Sequence, residues 1–416
     1  MMKTMIRTAM MATLMIGAAT TGLMVSGPAF AAKKEAKPAG PQYTKAVQVA
    51  LIAAQKAQTG GDLVGAAAQL AIADAAKTTA DDILAVGQTT INLGLATKDN
   101  ALLEKGLEVA LSSGKVAATE VPKYYRNLGA IALQRNDYVK AIRAYQELEK
   151  VAPAGGEIAV NLAEMYQRTK QTPLAVASFA RGIADKKATG EVVPEVWYRR
   201  SLAIAYDAKL PNETLATSLA LVSAYPNPTN WRDVLTIFRD GAKFDDQGSI
   251  DVMRLQRAVG ALAGERDFAE YADTASQRGL PGEAKAVLDE GIAKGMLSAA
   301  KPFIKDLQVN LGARVPKDKA SLPALEKEAK AGPNAKLMAA VGDGFLGYAN
   351  YPKAAEAYQL ALTKKGADLV VINTRLGIAL ALAGDKAGAS TAFGAIKGGA
   401  RETLAKFWLV YLANKA

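Results

Sequence analysis

The stretch YRNLGAIALQRNDYVKAIRAY, residues 125–145, decides the fold of this chain. Its apolar residues recur every three or four positions, which is the period of an amphipathic helix. Asn136 and Asp137 interrupt the pattern, and residues of this type favour a turn. Gly129 and Ala141 lie on either side of that turn, where their small size would let two helices approach closely. The stretch therefore predicts a helical hairpin, and it contains no His, no Cys and no paired acids that could do chemistry.

The sequence beyond this stretch has the same character. From Tyr43 onward it is rich in Ala, Leu, Lys and Glu, which favour helix. Gly, Pro, Asn or Asp interrupt the apolar periodicity every dozen or so residues. No segment shows the alternation that is typical of a half-buried strand. The sequence therefore predicts an all-α chain of short antiparallel helices.

The hairpin resembles the tetratricopeptide repeat, a helix-turn-helix unit of about 34 residues. The resemblance implies an α-solenoid, in which stacked antiparallel helix pairs form a superhelix. The positions that match the pattern are Tyr125, Leu128, Gly129, Ala132, Tyr138, Ala141, Tyr145 and Pro153.

Further units of the same kind follow along the chain. One degenerate copy is interpreted on Ala203, Tyr206 and Ala216. A last helix from Arg401 to Asn414 is rich in aromatic residues and is expected to cover the open end of the stack. The remaining copies are expected at 54–70, 162–179, 272–288, 342–362 and 376–393.

Composition divides the chain into segments. The Lys- and Pro-rich stretch at 314–336 is expected to be a loop or a hinge, and the loop is favoured. The expected segments are a signal peptide at 1–31, a flexible leader at 32–42, tetratricopeptide-like repeats at 43–225, degenerate repeats at 226–313, the loop or hinge at 314–336, and C-terminal repeats with the capping helix at 337–416.

Residues 1–31 have the pattern of an export signal. Lys3 and Arg7 precede an apolar run, and Ala29 and Ala31 occupy the small positions that signal peptidase accepts. The alternative is a retained membrane anchor. Cleavage would place the mature chain in the periplasm, with no integral membrane segment, because no later apolar run is long enough to span a bilayer.

Composition argues against several kinds of site. The chain has no His and no Cys, which excludes the usual zinc and copper sites and the common catalytic triads. The glycines of Gly342–Gly347 lie inside a predicted helix, so a nucleotide site is not expected. Residues 245–251 lack the closing Glu of a calcium loop, and Ser249 or Asp251 is expected to cap a helix instead. No catalytic residue, cofactor or metal is predicted.

The tetratricopeptide resemblance implies where a partner would bind. In that family the second, fifth, sixth and ninth positions of the first helix line the inner face of the superhelix. In this chain those positions include Lys123, Arg126, Asn127, Asn161 and Glu164. These five residues are the predicted partner-binding residues.

The same resemblance indicates what kind of partner to expect. Arg126 and Asn161 match two places of the family's clamp for a peptide C-terminus, but Ala130 replaces an amide of that clamp. A mixed polar groove for a peptide or a protein surface is therefore expected. The net charge of +11 suggests a modest preference for anionic partners, although an export signal argues against nucleic acid.

The sequence thus favours an exported, non-catalytic scaffold or adaptor that holds a protein or peptide partner. Family analogy suggests cell-envelope assembly, secretion or maintenance. The alternative is an envelope enzyme that acts on polysaccharide and is built on a helical superhelix or toroid. A homo-oligomeric structural protein also stays open.

Overall fold

The computed structural model describes residues 40–153, 155–242 and 244–415. The expected signal peptide and most of the expected leader lie outside these residues. The described residues form twenty α-helices, none of them long and apolar enough to cross a membrane, and no β-strand. The first ten are α1 (Lys45–Thr59), α2 (Leu63–Ala76), α3 (Ala80–Thr97), α4 (Asn100–Ser112), α5 (Val121–Gln134), α6 (Tyr138–Val151), α7 (Glu157–Arg168), α8 (Thr172–Ala188), α9 (Glu195–Asp207) and α10 (Pro211–Ala224). The others are α11 (Pro228–Ala242), α12 (Asp246–Ala258), α13 (Glu265–Gln277), α14 (Pro281–Ala293), α15 (Pro302–Ala331), α16 (Ala335–Gly347), α17 (Tyr351–Leu362), α18 (Leu369–Ala383), α19 (Lys386–Gly394) and α20 (Gly399–Asn414).

Successive helices pack as antiparallel hairpins, and each hairpin packs on the next. From α1 to α14, the first helix of each hairpin is called the A helix and the second the B helix, and α15 follows as a further A helix. The prediction of an all-α solenoid of stacked helix pairs is confirmed.

In three hairpins a glycine of the first helix lies directly against an aromatic ring of the second. A Cβ atom on Gly129 would lie 2.3 Å from the ring of Tyr145. Only a glycine fits this position without a displacement of the ring, so a close helix crossing is present at Gly129 as its sequence predicted. The contact at Gly129 is the ring of Tyr145, whereas the sequence had paired Gly129 with Ala141. The same contact joins Gly342 to Tyr358 and Gly377 to Phe393.

The hairpins also share a turn. Seven residues after Gly129, Asn136 has a left-handed backbone with φ of 57°, and Asp137 then caps α6 by accepting from the backbone N–H of Lys140. Five residues other than glycine have positive φ in the described chain, and all five occupy this turn position in their hairpins. They are Lys98, Asn136, Lys170, Lys209 and Ala349.

The turn at Lys209 corrects the register of the degenerate copy in α9 and α10. Ala203, Tyr206 and Ala216 are exposed, whereas Leu202 and Ser218 are buried. Leu202 and Ser218 stand in the same relation to Lys209 as Gly129 and Tyr145 do to Asn136. In this hairpin the large residue is on the A helix and the small one is on the B helix. Because the usual pattern is reversed, the register that the sequence predicted for this copy is wrong.

The expected loop at 314–336 is wrong for most of its length, because α15 continues to Ala331. Its first half buries Leu311 in a core with α13 and α14, and its second half buries Leu322 in the core of the C-terminal helices. Pro316 and Pro323 lie inside the helix but on its exposed side, where water can bond the carbonyls that they leave unpaired. Burial of apolar residues at both ends therefore overrides two residues that normally interrupt a helix.

The last helix, α20, does more than cover an open end. It packs against α18 and α19 and also returns to α10 and α12 in the middle of the chain. The ring centroid of Phe407 lies 6.3 Å from that of Trp231 and 5.3 Å from that of Phe238. The side-chain amide of Asn414 donates to the carbonyl of Val222 at 3.1 Å. The C-terminal hairpins are thus closed onto the central ones.

A buried carboxylate lies at the junction between these two parts. Asp251 of α12 has no exposed surface. Its two oxygens accept from Arg254 at 2.7 Å, from Arg401 of α20 at 2.6 Å and from Arg375 of α18 at 3.4 Å. Asp251 does not cap a helix as expected, because the cap of α12 is Asp245.

Two further acids complete this buried network. Arg254 binds Glu283 of α14 with two hydrogen bonds of 2.8 and 2.6 Å, and Arg375 binds Asp343 of α16 at 2.8 Å. Three arginines therefore balance three carboxylates. Burial by itself would raise the pKa of Asp251, but the guanidinium groups of Arg375, Arg254 and Arg401 outweigh it and hold that pKa below its usual value.

Substitution of Gly129 by Ala should destabilise the chain by about 1–3 kcal/mol, because the added methyl group displaces the Tyr145 ring. Gly312 provides the control, since it lies within α15 with open space around it. There, Gly→Ala should stabilise by about 0.5–1 kcal/mol. Urea unfolding followed by circular dichroism measures both, and equal effects at the two positions would contradict the close helix crossing.

Substitution of Asp251 by Asn should cost about 3–5 kcal/mol, because it leaves buried guanidinium groups without their counter-charge. Asp289 is the matched control, an exposed acid that pairs with Lys285 at 2.6 Å. Asp289→Asn should cost about 1 kcal/mol or less. Unfolding in urea compares the two variants, and a change of similar size in both would show that the network is dispensable.

Candidate functional site

The predicted partner-binding residues lie on two neighbouring A helices. Lys123, Arg126 and Asn127 are exposed on α5, and Asn161 is exposed on α7. Glu164 is partly buried on α7. The sequence pattern thus placed these residues on exposed or partly exposed faces, and their role in binding stays a prediction.

Two of these residues are already paired within the chain. Lys123 forms an ion pair of 2.8 Å with Glu120, one turn earlier on the same helix boundary. Glu164 accepts from Arg200 of α9, the next A helix. Burial raises the pKa of Glu164 above its ordinary value, while Arg200 and Arg168 act to lower it. The Glu164–Arg200 pair therefore links α7 to α9 beside the predicted partner-binding residues.

The other three residues have polar groups that the fold does not use. The side chains of Arg126, Asn127 and Asn161 form no hydrogen bond or ion pair with any residue that the structure describes. They present one guanidinium and two amides, which together offer several hydrogen-bond donors and two amide acceptors. No hydrogen bond or ion pair joins the three residues to each other, so the structure leaves them separately available.

Ion pairs continue from α9 along the following A helices. Arg199 binds Asp233 of α11 at 2.9 Å, and Arg239 of α11 binds Glu270 of α13 at 3.2 Å. Each pair links residues about one repeat apart. The exposed side of α5, α7, α9, α11 and α13 that carries these residues, together with the exposed side of α15, which packs beside α13, is called the A face.

Sequence reasoning missed Arg199 and Arg200. They occupy the same positions before the turn at Lys209 that Arg126 and Asn127 occupy before the turn at Asn136. The register error in α9 hid this equivalence. Counting backward from the left-handed turn residue would have found both arginines.

The charges of the A face affect its recognition more than its stability. Ion pairs between half-exposed side chains contribute about 0–1 kcal/mol each. Most of these groups are accessible, as Arg199 and Asp233 are. Within the described residues, no group of three or more acids could hold a metal ion. The A face is therefore a polar, charge-patterned surface suited to contact with another molecule.

No family model and no curated protein matches the chain. A tetratricopeptide repeat protein from Parabacteroides merdae is similar in structure, with 12% identity, a TM-score of 0.26 and coverage of 81% of this chain and 100% of that chain. A chain from the structure of Naa15/Naa10 bound to HypK-THB has 15% identity and a TM-score of 0.30, with coverage of 86% and 58%. Both TM-scores are below 0.5, so neither likeness identifies a family. The contacts within the chain's own hairpins are those of an α-solenoid of stacked helix pairs.

Substitution of Asn161 by Ala should change stability by about 0.5 kcal/mol or less, because this exposed amide makes no bond that the fold needs. The adjacent Leu162 has no exposed surface, and Leu162→Ala should cost about 2–5 kcal/mol. Urea unfolding of the two variants tests the orientation of α7. A large loss of stability in Asn161→Ala would show that its face is buried.

Proposed function

We propose that the chain is an exported, non-catalytic scaffold that binds a protein or peptide partner on the A face of α5, α7 and α9. The observation that carries the proposal is the group of polar side chains without intramolecular use at Arg126, Asn127 and Asn161. Stacked helical repeats commonly present such extended surfaces to partners. Binding would use hydrogen bonds and charge, without the breaking of a covalent bond.

The pairing of four acids bears on the choice between binding and catalysis. A polysaccharide-cleaving enzyme uses two carboxyl groups that face each other across the substrate. On the A face, Glu164 and Asp233 each pair with an arginine of a neighbouring helix. The buried acids Asp251 and Glu283 are enclosed by guanidinium groups, which keep their pKa values low. These pairings support a scaffold rather than general acid–base chemistry.

Export is the second part of the proposal, and it rests on the sequence of residues 1–31. Cleavage after Ala31 would deliver a chain that begins at Ala32 to the bacterial periplasm. The partner would then belong to the cell envelope, and roles in envelope assembly, secretion or maintenance fit such a location.

The test is a crosslinking pull-down of the tagged full-length chain from intact cells, with mass spectrometry of the recovered proteins and of the chain's own N-terminus. Arg126→Glu should reduce recovery of the partner about tenfold or more, since reversal of a buried interface charge costs several kcal/mol. Arg143→Glu is the matched control, because Arg143 is exposed on the B helix α6.

Three outcomes would contradict the proposal or one part of it. Equal recovery with the Arg126 and Arg143 variants would exclude binding on the A face. Recovery of the chain alone would argue against a scaffold and for self-association. An N-terminus other than Ala32, found in the cytoplasmic fraction, would refute export by itself and leave the binding surface in place.

A further inference from the structure

An open hollow of about 280 Å³ lies between the A helices α13 and α15. Asp273 of α13 and Asp306, Phe303 and Leu307 of α15 contribute to its walls. Asp273 occupies the same position before its turn as Glu164 does in α7, so the hollow belongs to the A face. The hollow lies at the α13–α15 end of the A face, and Arg126 lies at the α5 end.

The two carboxylates of the hollow lack a cationic partner among the described residues. Asp273 accepts one hydrogen bond of 2.7 Å from the amide of Gln277, and Asp306 forms no ion pair with any residue that the structure describes. Elsewhere on the A face, Glu164 and Asp233 each bind an arginine. Asp273 and Asp306 therefore bring two carboxylates without an ion pair to one hollow, in a chain with a net charge of +11.

The hollow is also lined by one cationic side chain, Arg314, whose guanidinium already forms hydrogen bonds within the chain. It donates to the carbonyl of Ser276 at 3.2 Å, to the hydroxyl of Ser276 at 3.1 Å and to the amide oxygen of Asn310 at 3.3 Å. These bonds hold Arg314 against α13 and away from pairing with the carboxylates. The lining of the hollow therefore keeps a net negative charge.

An aromatic ring completes the hollow. The side chain of Phe303 is 51% exposed, although α15 buries its neighbour Ile304 almost fully. The face of an aromatic ring attracts an ammonium or guanidinium group, and the attraction is worth about 0.5–1 kcal/mol at an exposed site. Carboxylates beside such a ring are suited to a long cationic side chain, whose methylene groups can lie along Phe303 and Leu307.

The volume of the hollow indicates how large its occupant can be. Sites for small molecules and cofactors usually have volumes of about 300–1,000 Å³ and enclose most of the ligand. An open hollow of about 280 Å³ is at the lower limit of that range. It is suited to one side chain that projects from a larger partner.

We propose that this hollow binds a lysine or arginine side chain of a basic segment in the partner protein, through the carboxylates of Asp273 and Asp306 and the ring of Phe303. The inference rests on the proposed scaffold function and specifies one part of the partner's chemistry. The hollow is a second contact region of the A face, separate from the donors at Arg126, Asn127 and Asn161.

The experiment titrates the full-length protein with a fluorescent capped peptide of alternating lysine and alanine, followed by anisotropy. The glutamate counterpart of the peptide serves as the control ligand. The double variant Asp273→Asn, Asp306→Asn should bind the lysine peptide at least tenfold more weakly, and Phe303→Ala about threefold more weakly. Asp289→Asn, which removes one carboxylate charge from the B helix α14, should bind as the wild type does. Carbodiimide coupling should attach the peptide to Asp273 or Asp306.

Several results would overturn the inference. They are equal binding of the glutamate peptide, no weakening in the double variant, absence of any binding, or coupling at other carboxylates.

Light scattering is measured in parallel, and a dimer that Phe303→Ala dissociates would assign the hollow to a second copy of this chain. Unfolding curves confirm that each variant is folded. If the unsubstituted protein does not bind the lysine peptide but still captures its partner in an Arg126-dependent way, this inference alone is refuted. If the unsubstituted protein binds the peptide but partner capture does not depend on Arg126, only the proposed capture by α5 and α7 is refuted.

Discussion

The arrangement of the C-terminal half depends on the buried carboxylate of Asp251. An isolated carboxylate without solvent contact would cost several kcal/mol, and it is accommodated here only because Arg254, Arg375 and Arg401 surround it. Two of these arginines come from helices more than a hundred residues away in sequence. Any other docking of α18 and α20 onto α12 would leave charges unpaired, so the network selects one geometry even where apolar contacts would allow several.

The helices before and after α10 stack in two different ways. From α1 to α9, each hairpin contacts mainly its sequence neighbours, as in a quasi-one-dimensional solenoid. From α10 to α20, helices distant in sequence pack around α12 and α18, which are buried on nearly all sides. The closing contacts come from the B helices α10 and α12 and from Trp231 and Phe238 of the A helix α11. The side chain of Asp233 on α11 stays accessible, so the closure does not cover the A face at that helix.

The features that sequence predicted are those that local contacts determine. The close crossing at Gly129 lies within one hairpin, and a small residue shortly before a turn is visible in the amino-acid sequence alone, although its contact with Tyr145 was not predicted. The helical path of α15 depends instead on two separate cores, to which Leu311 and Leu322 contribute from opposite halves. The role of Asp251 depends on arginines that no local pattern connects to it. Composition near 314–336 therefore indicated a loop, because the contacts that stabilise the helix are distant in sequence.

The polar groups of the candidate site could also be predicted only in part. The repeat register placed Arg126 and Asn161 on exposed faces. It could not show which polar groups form ion pairs within the chain, because these pairs join one A helix to the next. Among the described residues, pairing leaves donors without partners near α5 and α7 and carboxylates without cationic partners near α13 and α15. A molecule that extended along the A face would therefore meet opposite charge preferences at its two ends. Acceptor groups would be favoured near Arg126 and basic side chains near Asp306, so the charge pattern of the A face would itself fix the direction of binding.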